Sequence, residues 1–296
     1  MDYSIKFPDL RMEAGTELRR AQLVMLRLLR IFDDICCRHG LEYWLDAGTL
    51  LGAARHGGFI PWDDDVDVMM PVNHYASFLK IAQAELPFDV FLQTKQTDPE
   101  HDISWAKLRD RFSYMDDPGG PYPYSQGIPI DIFPAYVQTK RQFRLRFLYS
   151  VLPPFGNQPD RMSKRFSWKH NAHNLVLGTI QRIFLVLMKI QPLRKAFIAW
   201  GQKSGGEGWC YNPERPWYQH FPLECVHPLS KITFEDVQFS APADVDRYLS
   251  IYYGDWRTPP ANPANGSHGI HGIHLSDAGP KPHSTQLEWK DYHPDA

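Results

Sequence analysis

The middle of this chain is almost without acid. Residues 138–203 hold thirteen Lys and Arg residues against Asp160 alone, so this stretch carries +12 and everything else −14, which together give the formal −2. So one-sided a block calls for an anionic partner, either a phosphate-rich polymer or a membrane surface. Cysteine is scarce too. Cys36, Cys37, Cys210 and Cys225 are the whole set, with no Cys-x-x-Cys pair, which argues against a disulfide-stapled scaffold and for ordinary reduced thiols. Cys210, His220, Cys225 and His227 match no standard zinc spacing. No long apolar run occurs: the greasiest stretch, 174–190, is broken by Gln181, Arg182 and Lys189 and is too polar for an ordinary membrane span. The opening MDYSIKFPDL has no basic stretch leading into an apolar core, so no secretory signal is read. The expected location is the cytoplasm, with peripheral contact at the inner membrane face through 138–203.

What is present reads as a globular chain. Its 296 residues are 43% apolar and 22% charged, enough for a sizeable core in one large domain or two small ones. Over 16–39, Leu18, Ala21, Met25, Leu28, Phe32 and Ile35 recur at spacings of three and four, and Gly40 follows where a left-handed cap is wanted. A short strand is expected over 41–46, a turn and helical segment over 47–54, and a strand from Pro61 to about Met70. Asn73 is placed to cap a helix over 74–85. Further strands are expected at 88–93, 103–109 and 128–133, helices at 138–149 and 174–200, a hairpin from 230–234 and 237–239, and a helix over 242–253. The helix of 174–200 has two readings, a core helix or one lying on a bilayer. Beyond Pro259 the sequence is rich in Pro, Gly and His, and the echo of His268, His271 and His274 reads as a polar loop before a metal site. The fold class is α/β, a small mixed sheet flanked by helices with a basic helical insertion. The expected divisions are a catalytic core over 1–137, the basic section over 138–203, and a C-terminal part over 204–296 that completes the domain.

The chemistry concentrates in 43–70, YWLDAGTLLGAARHGGFIPWDDDVDVMM. In a strand, Asp65 and Asp67 share one face and Val66 and Val68 the other, with the two carboxylates about 7 Å apart at Cα. Like charges so placed repel unless a cation lies between them, and carboxylate oxygens suit Mg²⁺ or Mn²⁺. Asp131, set in the apolar run Ile128-Pro-Ile-Asp-Ile-Phe-Pro134, needs a partner if it is buried as a charge. Gly48 and Thr49 follow a strand and open a helix, a geometry that offers backbone N–H groups and a hydroxyl to a phosphate. Arg55, His56, Lys107 and Arg109 are candidate phosphate clamps, or else partners of the nearby acids. Asp63 and Asp64 either tune the site or end the strand. Trp44, Trp62, Tyr122 and Tyr124 are candidates to face a cationic head group, and core packing explains the two tryptophans equally well.

A strand ending in Gly-Thr, then Asp-x-Asp, then a later Asp resembles the nucleotidyltransferase signature. The wording LLGAARHGGFIPWDDDVDV is similar to that of the LicD family, to which fukutin and fukutin-related protein are also similar. The likeness continues through Lys107-Leu-Arg109-Asp110, Ile130-Asp131-Ile-Phe-Pro134, and the late segment from Phe234 to Tyr253-Gly254-Asp255-Trp256. It implies a transfer of a phospho-alcohol, such as phosphocholine or ribitol phosphate, from a CDP-linked donor to a hydroxyl of a glycan or lipid-linked glycan, releasing CMP. On that reading Asp65 and Asp67 bind the metal, Asp131 is a third ligand or the base, and Gly48 and Thr49 hold the donor diphosphate. Alternatives are transfer of the nucleotide itself to a sugar or protein, and a non-catalytic scaffold of the same fold. A nucleic-acid partner is not expected at the site, because the acidic N-terminal half would repel it. Lys164, Arg165 and Lys169 are candidates to meet an anionic acceptor or a membrane.

Overall fold

A computed structural model describes residues 3–101, 104–115, 123–139, 183–184, 186–202, 205–211, 219–259 and 273–275. Residues 140–149 of the first expected helix, residues 174–182 and 185 of the next one, Ile103, Tyr122, Lys164, Arg165, Lys169, His268 and His271 lie outside the described residues. The chain divides into two units, Met1–Pro134 with Glu224–Ala296, and Ala135–Leu223. The basic section therefore does not stand alone: residues 135–137 and 204–223 fall in its unit.

In the first unit a short helix α1 (Tyr3–Lys6) precedes α2 (Glu17–Arg38). Helix α2 starts where Thr16 accepts the Arg19 N–H at 3.2 Å, and it ends before Gly40, at φ 61°. Its apolar stripe buries Val24, Met25, Leu28, Leu29, Phe32 and Ile35. Phe32 meets Tyr43 and Phe78 edge-on at 4.8 and 4.9 Å, and truncating such a ring to alanine costs about 3–5 kcal/mol. The sheet has the order β1 (Trp44–Leu45), β2 (Asp67–Pro71), β6 (Pro129–Gln138), β4 (Ala106–Asp110), β3 (Val90–Gln93). β1 and β2 are antiparallel, as are β6 and β4, and β4 and β3. Strand β2 joins β6 through the Asp131 N–H, which donates to the Val66 carbonyl at 2.8 Å. Helices α3 (Ala47–His56) and α4 (Val72–Glu85) flank this sheet. Strands β9 (Ser230–Phe234) and β10 (Val237–Ala241) form an antiparallel hairpin between the short α6 (Leu223–Val226) and helix α7 (Val245–Tyr253), which Asp244 caps.

Several elements differ from expectation. The expected strand over 61–70 is regular only from Asp67, and 61–66 form a turn and an extended run. Helix α4 begins directly after β2, with Pro71 at its N-cap; Asn73 lies inside the first turn, where its carbonyl accepts the Ser77 hydroxyl. Strand β11 (Ile273–Leu275), in the stretch expected to be loop, pairs antiparallel with β5 (Ser113–Met115).

In the second unit Ala135–Gln138, the end of β6, pairs antiparallel with β7 (Gly208–Tyr211), and β7 pairs with β8 (Phe221–Pro222). Gln138 is thus in a strand, where a helix was expected to start. The helix expected over 174–200 is interrupted: residues 188–190 form a turn and bend, and α5 (Gln191–Gln202) starts afresh with Pro192 in its first turn, where proline is tolerated.

Candidate active site

The acid-bearing connection between α3 and β2 is fixed from both sides. Gly57 ends α3 at φ 72°, and a Cβ on Gly58 would lie 2.6 Å from Glu235 Oε1, so a side chain there would have to displace the Glu235 carboxylate. Glu235, from the turn of the β9–β10 hairpin, accepts two hydrogen bonds from Arg19 at 3.0 and 2.7 Å and one from the Phe59 N–H at 3.2 Å. Gln22 of α2 donates to the Asp63 carbonyl at 3.1 Å. The His-Gly-Gly-Phe wording is thereby explained as docking chemistry.

Beyond this anchor, burial alternates as the sequence requires. Val66 and Val68 have no exposed surface, while Asp65 and Asp67 keep some. Asp67 starts β2 with its N–H donating to Thr49 Oγ1 at 2.8 Å, and its carbonyl accepts the Asp46 N–H at 3.0 Å. Its carboxyl is pushed well above the usual range by desolvation, then by the charges of Asp65, Asp131 and Asp46, with Lys107 opposing them. Each neighbouring negative charge makes a further one harder to hold.

Asp131 lies opposite Lys107 in the β6–β4 register. Its Oδ1 accepts the Trp105 indole N–H at 2.5 Å and lies 2.7 Å from Lys107 Nζ, and its Oδ2 accepts Lys107 at 3.0 Å. Since a carboxylate oxygen has two acceptor positions, Oδ2 retains one for another donor or a metal. Lys107 is thus placed at the acids. Arg109, two residues along the same strand face, is buried and committed elsewhere: it donates to Gln93 Oε1 at 2.5 Å and the Gly127 carbonyl at 2.6 Å.

Gly48 and Thr49 open α3, as expected, but acids and backbone already engage them. Asp63 Oδ2 would lie 3.0 Å from a Cβ on Gly48, and Thr49 is buried with its oxygen on the Asp67 N–H. Arg55 donates to the Trp256 carbonyl at 3.0 Å. His56 is exposed, with its ring edge-on to Trp62 at 6.2 Å; partial burial of the ring and then the Arg55 charge lower its pKa. Trp44 is a core residue, fully buried, and Tyr124 packs against His101 at 4.6 Å.

Besides Trp105, three residues around the acids were not singled out from sequence: Asp46, Tyr248 and Tyr253. Asp46, fully buried at the N-cap of α3, does not cap it; its Oδ1 accepts the Tyr248 hydroxyl at 2.7 Å, and the Tyr248 oxygen in turn accepts the Trp44 indole N–H at 3.0 Å. Tyr253, at the end of α7, is 41% exposed as a whole, yet desolvation of its hydroxyl and then the charges of Asp46, Asp67, Asp65 and Asp63 raise its pKa. The Tyr253-Gly254-Asp255-Trp256 wording was a signal for it, without a role attached.

The donor set fits a hard dication in its chemistry, all carboxylate oxygen around a strongly disfavoured Asp67 charge. Among the described residues, no three acids, histidines or cysteines close on one point at ligand spacing, and Lys107 fills part of that role at Asp131.

Comparison with known proteins agrees with this geometry. Residues 40–150 match the family model described as LicD/FKTN/FKRP, nucleotidyltransferase domain. Over residues 40–150 the chain is similar to a LicD-family domain. The interval runs from the end of α2 past Asp131, so it contains Asp46, the three candidate acids and Lys107. The chain is 26% identical to the lipopolysaccharide cholinephosphotransferase LicD of Haemophilus influenzae, over 82% of this chain and 92% of that protein. An uncharacterised protein of Rickettsia typhi is 41% identical over 59% of this chain and 58% of its own length. The ribitol 5-phosphate transferase FKRP of Homo sapiens is 69% identical over 40% of this chain, and this chain spans 24% of it.

Proposed function

We propose that this chain is a LicD-family, metal-dependent phosphotransferase that moves a phospho-alcohol, phosphocholine or a similar group, from a CDP-linked donor to a hydroxyl of a cell-surface glycan and releases CMP. The observation that carries the reading is the grouping at Asp67: a carboxyl whose charge is disfavoured first by burial and then by the charges of Asp65, Asp131 and Asp46. A bound dication would reverse that penalty. The names of the Haemophilus and human relatives support transfer of a phosphate-linked alcohol; neither fixes the alcohol carried here.

In this reading Asp65, Asp67 and Asp131 hold Mg²⁺ or Mn²⁺, which when bound would stabilise charge on the attacking and leaving oxygens. The chain supplies position. Trp105 and Lys107 fix the Asp131 carboxylate, and its free Oδ2 position can take a ligand or the acceptor's proton. Lys107 also brings a positive charge to where the donor phosphates would lie, with the first turn of α3 at Gly48 and Thr49 beside it. Arg55 and His56, at the far end of α3, are available to the rest of the donor, while Arg109 supports the strand that presents Lys107.

The test is nucleotide release from a panel of CDP-alcohols with Mn²⁺ or Mg²⁺, with and without glycan acceptors. Metal-dependent CMP formation that Asp67→Asn loses is the expected result, and the best donor names the alcohol. A nucleotide retained on the acceptor would replace this reading with nucleotide transfer. Tight metal binding without any product, from any donor, would defeat it.

A further inference from the structure

The reaction leaves unexplained the stretch after Asp160. Between Asp160 and Glu207 the sequence holds nine Lys and Arg residues and no acid. Its described part, 183–202 without 185, lies in the second unit and has two apolar faces. One turns inward: Phe184 and Met188 are buried, and Phe184 meets Phe197 edge-on at 4.8 Å. The other is open. Ile183, Val186, Leu187, Ile190 and Leu193 are 58, 63, 44, 54 and 41% exposed. Single exposed aliphatics are ordinary, but five within residues 183–193 make a patch. Lys189 and Lys195 are exposed in the same run.

We infer that this face seats the protein on an anionic lipid surface, its aliphatic side chains entering the headgroup–acyl boundary and its lysines meeting lipid phosphates. Charge selects the occupant. A second copy would bring two acid-free basic rims together, which repel. A soluble anionic glycan would satisfy the lysines and leave five aliphatic side chains in water. A bilayer with anionic headgroups answers both, because lysine stems lie along apolar surface while their ammonium groups stay with phosphate. The segment would lie on the surface and not pass through it: among the described residues no helix is long and apolar enough to cross a membrane.

The test is flotation of the full chain with phosphatidylcholine vesicles, with and without phosphatidylglycerol, in the absence of nucleotide and metal. Wild type is expected to float with the anionic vesicles only. Replacing Ile183, Val186, Leu187 and Ile190 together by Ser should weaken binding about tenfold or more, since apolar burial drives the insertion. Lys189→Glu with Lys195→Glu should weaken it several-fold, and salt should mimic that variant. Circular dichroism and melting check that each variant is folded; if the serine variant is not, the lysine pair carries the test alone. Failure of wild type to float, or binding unchanged in the folded variants, would overturn the inference. So would a serine variant that floats normally but loses self-association, since a second copy would then cover the face. CMP release in solution is measured separately, so this inference and the proposed reaction can fail independently.

Discussion

Two groups of acids in the first unit are handled differently. At the end of β4, Asp110 accepts Arg11 through both oxygens at 3.0 and 2.6 Å, Asp9 takes the Nε–H of the same guanidinium at 2.7 Å, and Asp89 pairs with Arg27 at 2.8 Å. Those charges face arginines from the N-terminal part of the chain, although burial and then the Asp110 charge still raise the Asp89 pKa against the pull of Arg27. Around Asp67 the neighbours that raise its pKa are three more carboxylates, and Lys107 is the cation set against them. The first arrangement holds the fold together. The second, on the proposed reading, is left for a cation to answer, which is how an acid site differs physically from an acid ion-pair network.

The largest expected contrast comes from removing one charge in each group. Asp67→Asn should lower CMP formation by about a thousandfold or more, as expected when several kcal/mol of metal-based stabilisation is lost. It should leave thermal stability unchanged or raised, because it removes a repelled charge. Saturating Mn²⁺ should stabilise wild type by about 2–3 kcal/mol at a hundredfold excess over its dissociation constant, and the variant hardly at all. Asp110→Asn should do the reverse: about 3 kcal/mol of stability lost on urea unfolding, because Arg11 is left buried with only the more exposed Asp9 to answer its charge. If both variants proved equally destabilising, the contrast between the two groups would be wrong.

A smaller effect sharpens the boundary of the site. Tyr248→Phe removes the donor to Asp46 and should cost about 1–3 kcal/mol of stability, and should lower kcat more than it raises KM if Asp46 positions the start of α3. The smallest effect is a matter of pH. The Arg19 hydrogen bonds hold the Glu235 carboxyl below its ordinary value, with the Phe59 N–H adding to them and partial burial opposing. Its contribution is therefore present above the unfolded-state pKa of about 4.3 and is lost as pH falls through the lower folded value. Unfolding curves between pH 6 and 3 should be less steeply pH-dependent in Glu235→Gln than in wild type.

Local signals made much of the fold legible. The three-and-four spacing of α2, with Thr16 before it and Gly40 after it, marks both ends of that helix, and the alternation of acid and valine from Asp65 to Val68 fixes which side is buried. The features that escaped depend on distant partners. Asp46 is read through Tyr248, 202 residues away, and β11 exists through its register with β5, Ile273 opposite Met115. Neither short stretch carries a periodicity of its own. Arg109 was grouped with Lys107 as a candidate phosphate clamp; its commitment to Gln93 and Gly127 is a tertiary fact. Asn73 was misplaced because a helix can follow a strand without a loop, and Pro71 then occupies the cap.

The anchoring of the acid-bearing connection by Glu235 bears on modularity. Arg19, Gln22, Glu235 and Tyr248 all lie outside residues 40–150, yet they hold the loop, the strand entry and the helix start on which the acids sit. The recognisable sequence is therefore shorter than the smallest piece expected to work. A chain cut to 40–150 would keep every candidate acid and lose the parts that aim them, so transplanting this activity means moving the whole first unit.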